Sequence, residues 1–466
     1  MVAERTTLQT LRQLSAALAG GAITSRELVA ACLARATDVD GEGARVFLQL
    51  DAAGALQQAE AMDELRRRGA PPSAFCGIPI SVKDLFDVRG QITRAGSKLL
   101  AQAAPAAADC PAVARLRRAG LVLIGRTNMT EFAFSGVGIN PHYDTPRNPF
   151  DRATGRIPGG SSSGAAVSVT DGMAAAAIGT DTGGSCRIPA ALCGISGFKP
   201  TASRVPREGV YPLAPSLDSV GPLAASVQCC AILDDLLAGG TGQPAAFRHL
   251  TGLRLAVLDN YVTADLDPQV AQAYERALGR LQSAGVHLVS IELPELARLP
   301  ELNSAGGIAA AEAFAHHRTQ IGAHPEVYDP RVGGRIARGA SQSAADYIQL
   351  LAQRKSMIDG FERAMQGFDA LLSPTLPIVA PPLDAFTADE DYVRLNLLLL
   401  RNPSVFNFLD GCAISIPIQE PGTAPVGLTL AGTGGSDRSL LAVAAAVQAA
   451  LASGRRTDRD SGTAVP

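Results

Sequence analysis

The chain has 466 residues, 47% of them hydrophobic, and a formal net charge of −3. That length and apolar fraction support a large buried core, and the near-neutral charge provides no field for nucleic acid or an acidic membrane surface. The longest apolar runs, such as Met173–Gly179 and Asn396–Leu400, fall far short of the ~20 residues that span a bilayer.

From the N-terminus, MVAERTTLQTL lacks the basic and apolar regions of a secretory signal, so a cytoplasmic location is expected. Residues 7–70 read as helices broken at Gly20–Gly21 and Asp38–Gly43, with Thr24 or Ser25 capping one of them. GIPISVK (77–83) is an apolar run of strand length. CPAVARLRRAG followed by LVLIGR reads as helix, glycine stop, strand. MAAAAIG (173–179) is another strand. LRLAVLD (253–259), a helix over 267–284 and HLVSIEL (287–293) continue the alternation. Long helices are predicted over 303–321 and 342–367, strands at 413–418 and 426–432, and a closing helix over 438–452. A polar tail, 454–466, is expected to be disordered.

Alternating strands and helices predict an α/β/α fold with a twisted, mixed but mostly parallel sheet covered on both faces. With no linker-like composition in the middle, the whole chain (1–466) reads as one domain. Its parts are an N-terminal helical region (1–70), a core (71–240), peripheral helices and loops (241–410) and a returning segment (411–453). Eight scattered cysteines include no CxxC pair and six histidines no HExxH, so reduced buried thiols and no metal site are expected. A homodimer is the default assembly for an enzyme of this size.

The stretch GRIPGGSSSGAAVSVTDGMAAAAIGTDTGGSCRIPAALC (155–193) places two Gly-Ser clusters around evident core. A linker would not enclose so apolar a segment. Read as structure, Ser161–Ser163 offer N-cap hydroxyls, Gly164–Thr170 form two helical turns, and Asp171–Gly172 stop them. The strand then returns, so both clusters meet at one end of the sheet, where open α/β sheets place ligands. Gly183 and Gly184 let successive N–H groups point into one pocket beside the Ser185 hydroxyl, ahead of a helix starting near Cys186. That is the layout of an oxyanion hole with its nucleophile. Shorter rival patterns fail on context. GTDTGGSCR lacks the GK[ST] ending of a P-loop, Gly160–Gly164 fits GxSxG with no strand before it, and Ser196–Lys199 fits SxxK without its companion motifs.

A serine nucleophile needs a base. Only His142 lies near the motif. The chain has 41 Lys plus Arg but only four lysines, Lys83, Lys98, Lys199 and Lys355, so a lysine in an apolar segment stands out. Lys83 ends such a strand, where burial favours the neutral amine. The competing reading is a strand-capping lysine paired with Asp84. One of the hydroxyls of Ser161–Ser163 could carry a proton between Lys83 and Ser185.

Taken together these residues resemble the amidase signature family. The resemblance runs from about residue 6 to 453 and is strongest over 77–98 and 121–222. It is carried by GIPISVKDLFDVRG, GRTNMTEFAFSGVG, GGSSSGAA…GTDTGGSCRIPAALCGISGFKPT and REGVYPLAPSLDSVGPLA. It implies a Ser-cisSer-Lys triad of Ser185, Ser161 and Lys83, with backbone amides of Thr182, Gly183 and Gly184, together with that of Ser185, as the oxyanion hole. GGSSSG stands where the family has GGSSGG, so Ser162 competes with Ser161, and the spacing to Ser185 favours Ser161. The implied activity is hydrolysis of a small-molecule amide to the acid and ammonia or amine, without a cofactor. Glutaminase subunits of amidotransferases and hydrolases of urea derivatives share this core. A non-catalytic binding protein is disfavoured by the intact triad. For substrate contacts, Arg187 could hold a carboxylate or tie its loop through Asp181, the latter being favoured. Met129, Phe132, Tyr143 and Tyr211 are further pocket candidates, with ordinary packing as the default. Specificity is expected from loops within 125–150, 300–345 and 375–410.

Overall fold

The computed structural model describes residues 8–460, from 453 onward by backbone only. Eleven strands form one sheet: β1 (Phe47–Leu50), β2 (Pro79–Lys83), β3 (Val122–Thr127), β4 (Ala176–Asp181), β5 (Ser196–Lys199), β6 (Ser219–Ala224), β7 (Arg254–Leu258), β8 (His287–Ile291), β9 (Ala370–Pro374), β10 (Cys412–Pro417) and β11 (Gly427–Gly432). Their spatial order is β1-β3-β2-β4-β6-β5-β10-β11-β9-β7-β8. The α/β class and the mixed sheet agree with the sequence. The expected parallel majority does not. Only β2–β3, β2–β4, β7–β8 and β7–β9 pair in parallel, and the other six pairings are antiparallel. The parallel blocks sit toward the two flanks, where helices such as Pro111–Arg118 and Pro268–Ser283 provide the crossovers.

Side chains alternate between two buried clusters. Leu123 and Ile178 face one, and Val122, Ile124 and Ala177 face the other. Both faces of the sheet are therefore covered, which explains why β2, β4 and β6 are buried at every position.

Several expectations shift. Phe47–Leu50, inside the region read as all helix, is the edge strand β1. The strand expected at 173–179 runs instead over Ala176–Asp181, which brings Thr180 and Asp181 into the sheet. The closing helix is Asp437–Asp460, well past 452, and residues 461–466 of the expected tail lie outside the described residues. Among the described residues no helix is long and apolar enough to cross a membrane. All eight cysteines are free and buried, as composition suggested.

Candidate active site

The site grows from the carboxyl end of β2. The helix Ser163–Thr170 lies on the face of β2 that carries Ser81, whose hydroxyl is 2.8 Å from that of Ser168. The helix begins as expected, but its N-cap, Ser162, makes no side-chain capping bond. Just before it the Gly160–Ser161 peptide is cis. The turn is fixed on both sides: Gly160 N–H donates to the Gly136 carbonyl at 2.8 Å, and the Ser161 carbonyl accepts from Thr130 N–H at 3.1 Å.

Lys83 is wholly buried. Its Nζ donates to Ser161 Oγ at 2.8 Å and to Thr180 Oγ1 at 3.0 Å. The Ser162 hydroxyl turns to the Thr180 carbonyl (3.5 Å) and that of Ser163 to the Asn128 carbonyl (3.4 Å). Ser161 is thus the serine of the cluster that meets Lys83. Asp84, the alternative partner, instead lies 2.7 Å from Arg126 Nε, and among the described residues Lys83 makes no ion pair. Burial pulls its pKa down to about 8, against the weaker opposing pull of Cys186, Asp181 and Asp218.

The second Gly-Ser cluster leaves β4 as an arch over residues 182–185. Ser162 N–H donates to the Ser185 carbonyl at 3.3 Å, which joins the two clusters. Ser185 is buried. Gly184 has φ +124°, and a Cβ there would sit 2.7 Å from Pro403, so only glycine fits. Gly183 needs no such freedom, since its φ is outside the left-handed region and a Cβ would meet nothing closer than 3.4 Å.

Asp181 anchors the arch. Its carboxylate accepts from Gly184 N–H (2.8 Å), Cys186 N–H (3.1 Å), Arg187 Nε (3.0 Å) and Nη2 (2.9 Å), and Asn407 Nδ2 (2.9 Å). Burial alone would raise its pKa, but the Arg187 guanidinium and these hydrogen bonds hold the carboxyl far below the usual carboxylate range. The Gly184 amide is therefore occupied, which corrects the expectation that it serves an oxyanion. Among the described residues the N–H groups of Thr182, Gly183 and Ser185 have no protein acceptor.

The tentative substrate contacts fare differently. Arg187 is fully buried in its pairing with Asp181 and Asn407, so the loop-tying role is the one the structure displays. Met129 is wholly buried in the main core, and its backbone carbonyl accepts from Asn140. Tyr143 is half-buried and its hydroxyl donates to the Ser97 carbonyl at 3.3 Å. His142 Nε2 lies 2.9 Å from Glu131 Oε1. A cavity of about 420 Å³ abuts Thr180, the partner of Lys83, and is walled by residues 202–220 including Arg207, Glu208 and Asp218; Ser161 and Ser185 do not line it.

Two features escaped the sequence. Phe132 and Tyr211 belong to an aromatic cluster with His316, His317 and Tyr328, ring centroids lying 4.4–5.8 Å apart. These rings come from distant segments of the chain, so no local pattern reports them. Burial and the neighbouring His316 push the His317 pKa down to about 4. The second feature is Asp218, in PSLDSVGPLA, which accepts from Thr182 Oγ1 at 2.5 Å.

A buried amine without an ion pair, a hydroxyl on it, and open amides beside a second hydroxyl are the parts that a serine-based hydrolase requires. Residues 27–441 match the Amidase family model. The chain is 37% identical to the 2-amino-5-chloromuconic acid deaminase of Comamonas testosteroni, over 87% of this chain and 88% of that one. It is 34% identical to a glutamyl-tRNA(Gln) amidotransferase subunit of Roseiflexus sp. (strain RS-1), over 94% and 96%. Its fold superposes on the crystal structure of an amidase with a TM-score of 0.85 at 33% identity, covering 95% of this chain and 99% of that one. The chain belongs to the amidase family. It is a hydrolase acting on amide C–N bonds.

Proposed function

We propose that Ser185 is the nucleophile of this amidase, with Lys83 as base and Ser161 as the proton relay between them. The observation that carries this reading is the 2.8 Å contact of Lys83 Nζ with Ser161 Oγ in a fully buried setting without an ion pair. Ser185 Oγ attacks the amide carbonyl carbon while its proton passes through Ser161 to neutral Lys83. The oxyanion rests on the amides of Thr182, Gly183 and Ser185. Collapse breaks the C–N bond, the proton returns to the departing nitrogen, and the acyl group stays on Ser185. Water then attacks the acyl carbon by the same relay and frees the acid.

The substrate we assign is a small carboxylic amide that releases ammonia, acted on by one catalytic domain in the cytoplasm without partner subunits. The deaminase relative supports ammonia as the leaving group. A second reading, a glutaminase that depends on partner proteins, draws support from the amidotransferase relative, which matches over 94% of the chain. The test is ammonia release by the purified chain from aliphatic amides, aryl amides, glutamine, malonamate and urea derivatives, with Ser185→Ala as control. Release from a simple amide, absent in the variant, is expected. Release from glutamine only after partner proteins are added would favour the second reading.

A further inference from the structure

We propose that Asp218 is a positioning residue for catalysis, holding the Ser185 arch through the Thr182 hydroxyl and locking the arch to the loop that walls the neighbouring cavity. The proposal rests on the reading of Ser185 as nucleophile.

The arch between β4 and Ser185 is pinned at two points by two carboxylates. At one, Gly184 N–H is held by Asp181 Oδ1 at 2.8 Å. At the other, Thr182 Oγ1 donates to Asp218 Oδ1 at 2.5 Å. Around these anchors the amides of Thr182, Gly183 and Ser185 are left without protein acceptors among the described residues. An oxyanion hole works only when its donors are already aimed, so what fixes the Thr182 peptide fixes part of the hole.

Asp218 also reaches away from the arch. Its carboxylate accepts from Leu213 N–H at 3.1 Å and from Ala214 N–H at 3.2 Å, while its backbone carbonyl accepts from Arg207 Nη1 at 3.1 Å. One buried residue thereby ties the 207–214 loop to the arch, through its side chain at Leu213 and Ala214 and through its backbone at Arg207. Several of those residues and Asp218 itself wall the 420 Å³ cavity, which also reaches Thr180, the second partner of Lys83. The adjacent Ser219 hydroxyl donates to the Asp181 carbonyl at 3.0 Å, so the two anchors are braced against each other. Asp218 makes no hydrogen bond to Lys83 or Ser161 and acts on the base only through a weak charge pull that raises the Lys83 pKa, so its removal favours the neutral amine, and a loss of rate reports the aim of the amides.

The experiment is phosphonylation of Ser185 by an alkyl fluorophosphonate, which needs no knowledge of the natural substrate. The Ser185 Oγ–P bond forms, the P–F bond breaks, fluoride leaves, the serine proton passes to the Lys83 relay, and the phosphoryl oxygen takes the oxyanion position. Asp218→Ala is expected to lower the maximal inactivation rate about 100-fold, the size typical of losing one oxyanion donor, with the probe's half-saturating concentration changed less than about threefold. Asp218→Asn, which keeps an acceptor, loses less, and Thr182→Ser loses less than Thr182→Val. The Asp218→Ala/Thr182→Val double variant loses no more than the worse single one, because both act along one path. A folded Asp218→Ala with an unaltered maximal rate, a loss confined to half-saturation, or fully additive losses would each overturn the proposal. Should Asp218→Ala not fold, the two Thr182 variants decide alone: equal rates overturn it. Failure of wild-type labelling at Ser185 would instead strike the underlying nucleophile assignment.

Discussion

Titration of Lys83 gives the sharpest quantitative expectation. An unperturbed lysine, at ~10.4, would be neutral in about one molecule in 2,500 at pH 7. Burial, only partly opposed by the nearby Asp181 and Asp218, brings Lys83 to about 8, where roughly one in ten is neutral at that pH. If neutral Lys83 is the base, kcat/KM for ammonia release should climb about tenfold per pH unit well below the pKa and reach a plateau near pH 9. From pH 6 to pH 8 the neutral fraction rises about 50-fold. The same displacement carries a stability consequence. The unfolded chain binds the Lys83 proton more tightly, so it holds more protons between about pH 8 and pH 10, and stability rises with pH across that window. Below it the buried amine costs about 3 kcal/mol, the free-energy equivalent of the displacement. Lys83→Met should therefore abolish turnover without lowering the melting temperature at pH 7. The relief is offset by roughly 1 kcal/mol for each hydrogen bond lost to Ser161 and Thr180. A profile of kcat/KM that is flat from pH 6 to 9, or that inflects near 10.4, would refute the reasoning, as would an active Lys83→Met protein.

Further outcomes follow from the same geometry. Arg187→Leu leaves the Asp181 carboxylate buried and unpaired, so thermal unfolding should register a loss of about 3–5 kcal/mol. An intact melting temperature with a raised KM would instead mark Arg187 as a substrate contact. Because Asp181 is held below the usual range, its contribution is complete above an unfolded pKa of ~3.9 and fades as pH falls further; acid unfolding of wild type should steepen there and that of Asp181→Asn should not. Gly184→Ala forces a Cβ to within 2.7 Å of Pro403 at φ +124°, and kcat should drop at least tenfold, read by ammonia release, by the scale of one disturbed oxyanion donor. The eight buried thiols should resist a soluble aromatic disulfide reagent in the native protein and all react after denaturation.

How much of this was legible in the sequence depended on how local each signal was. Lys83 stood out because arginine serves almost everywhere else and because GIPISVK reads as a buried strand. The two Gly-Ser clusters pointed to each other since the segment between them is too apolar for a linker. The strands that escaped were short or irregular. β5 is SGFK, β6 (SVGPLA) contains glycine and proline, β1 lies between helices, and the five-residue β9 (ALLSP) ends in Ser-Pro. These irregular strands are mostly the antiparallel ones at the centre, which is why a parallel majority was expected. The helix Asp389–Phe408 hid behind its internal Pro403, a residue that packs on Gly184. Occupancy of the Gly184 amide by Asp181 could not be read, because both residues were visible but the direction of one N–H was not. Asp218 and the aromatic cluster depend on contacts between distant segments, and only the fold brings those together.

The most direct test of the nucleophile is to stop turnover of a slow amide within milliseconds in acid and map the acyl group by mass. Trypsin releases one peptide, Ile157–Arg187, that carries Ser161, Ser162, Ser163 and Ser185 together, so fragment ions must locate the adduct. The predicted result is an acyl group on Ser185 that forms and decays at rates consistent with turnover and is absent from Ser185→Ala. An acyl group on Ser161, or full turnover by Ser185→Ala, would contradict the assignment.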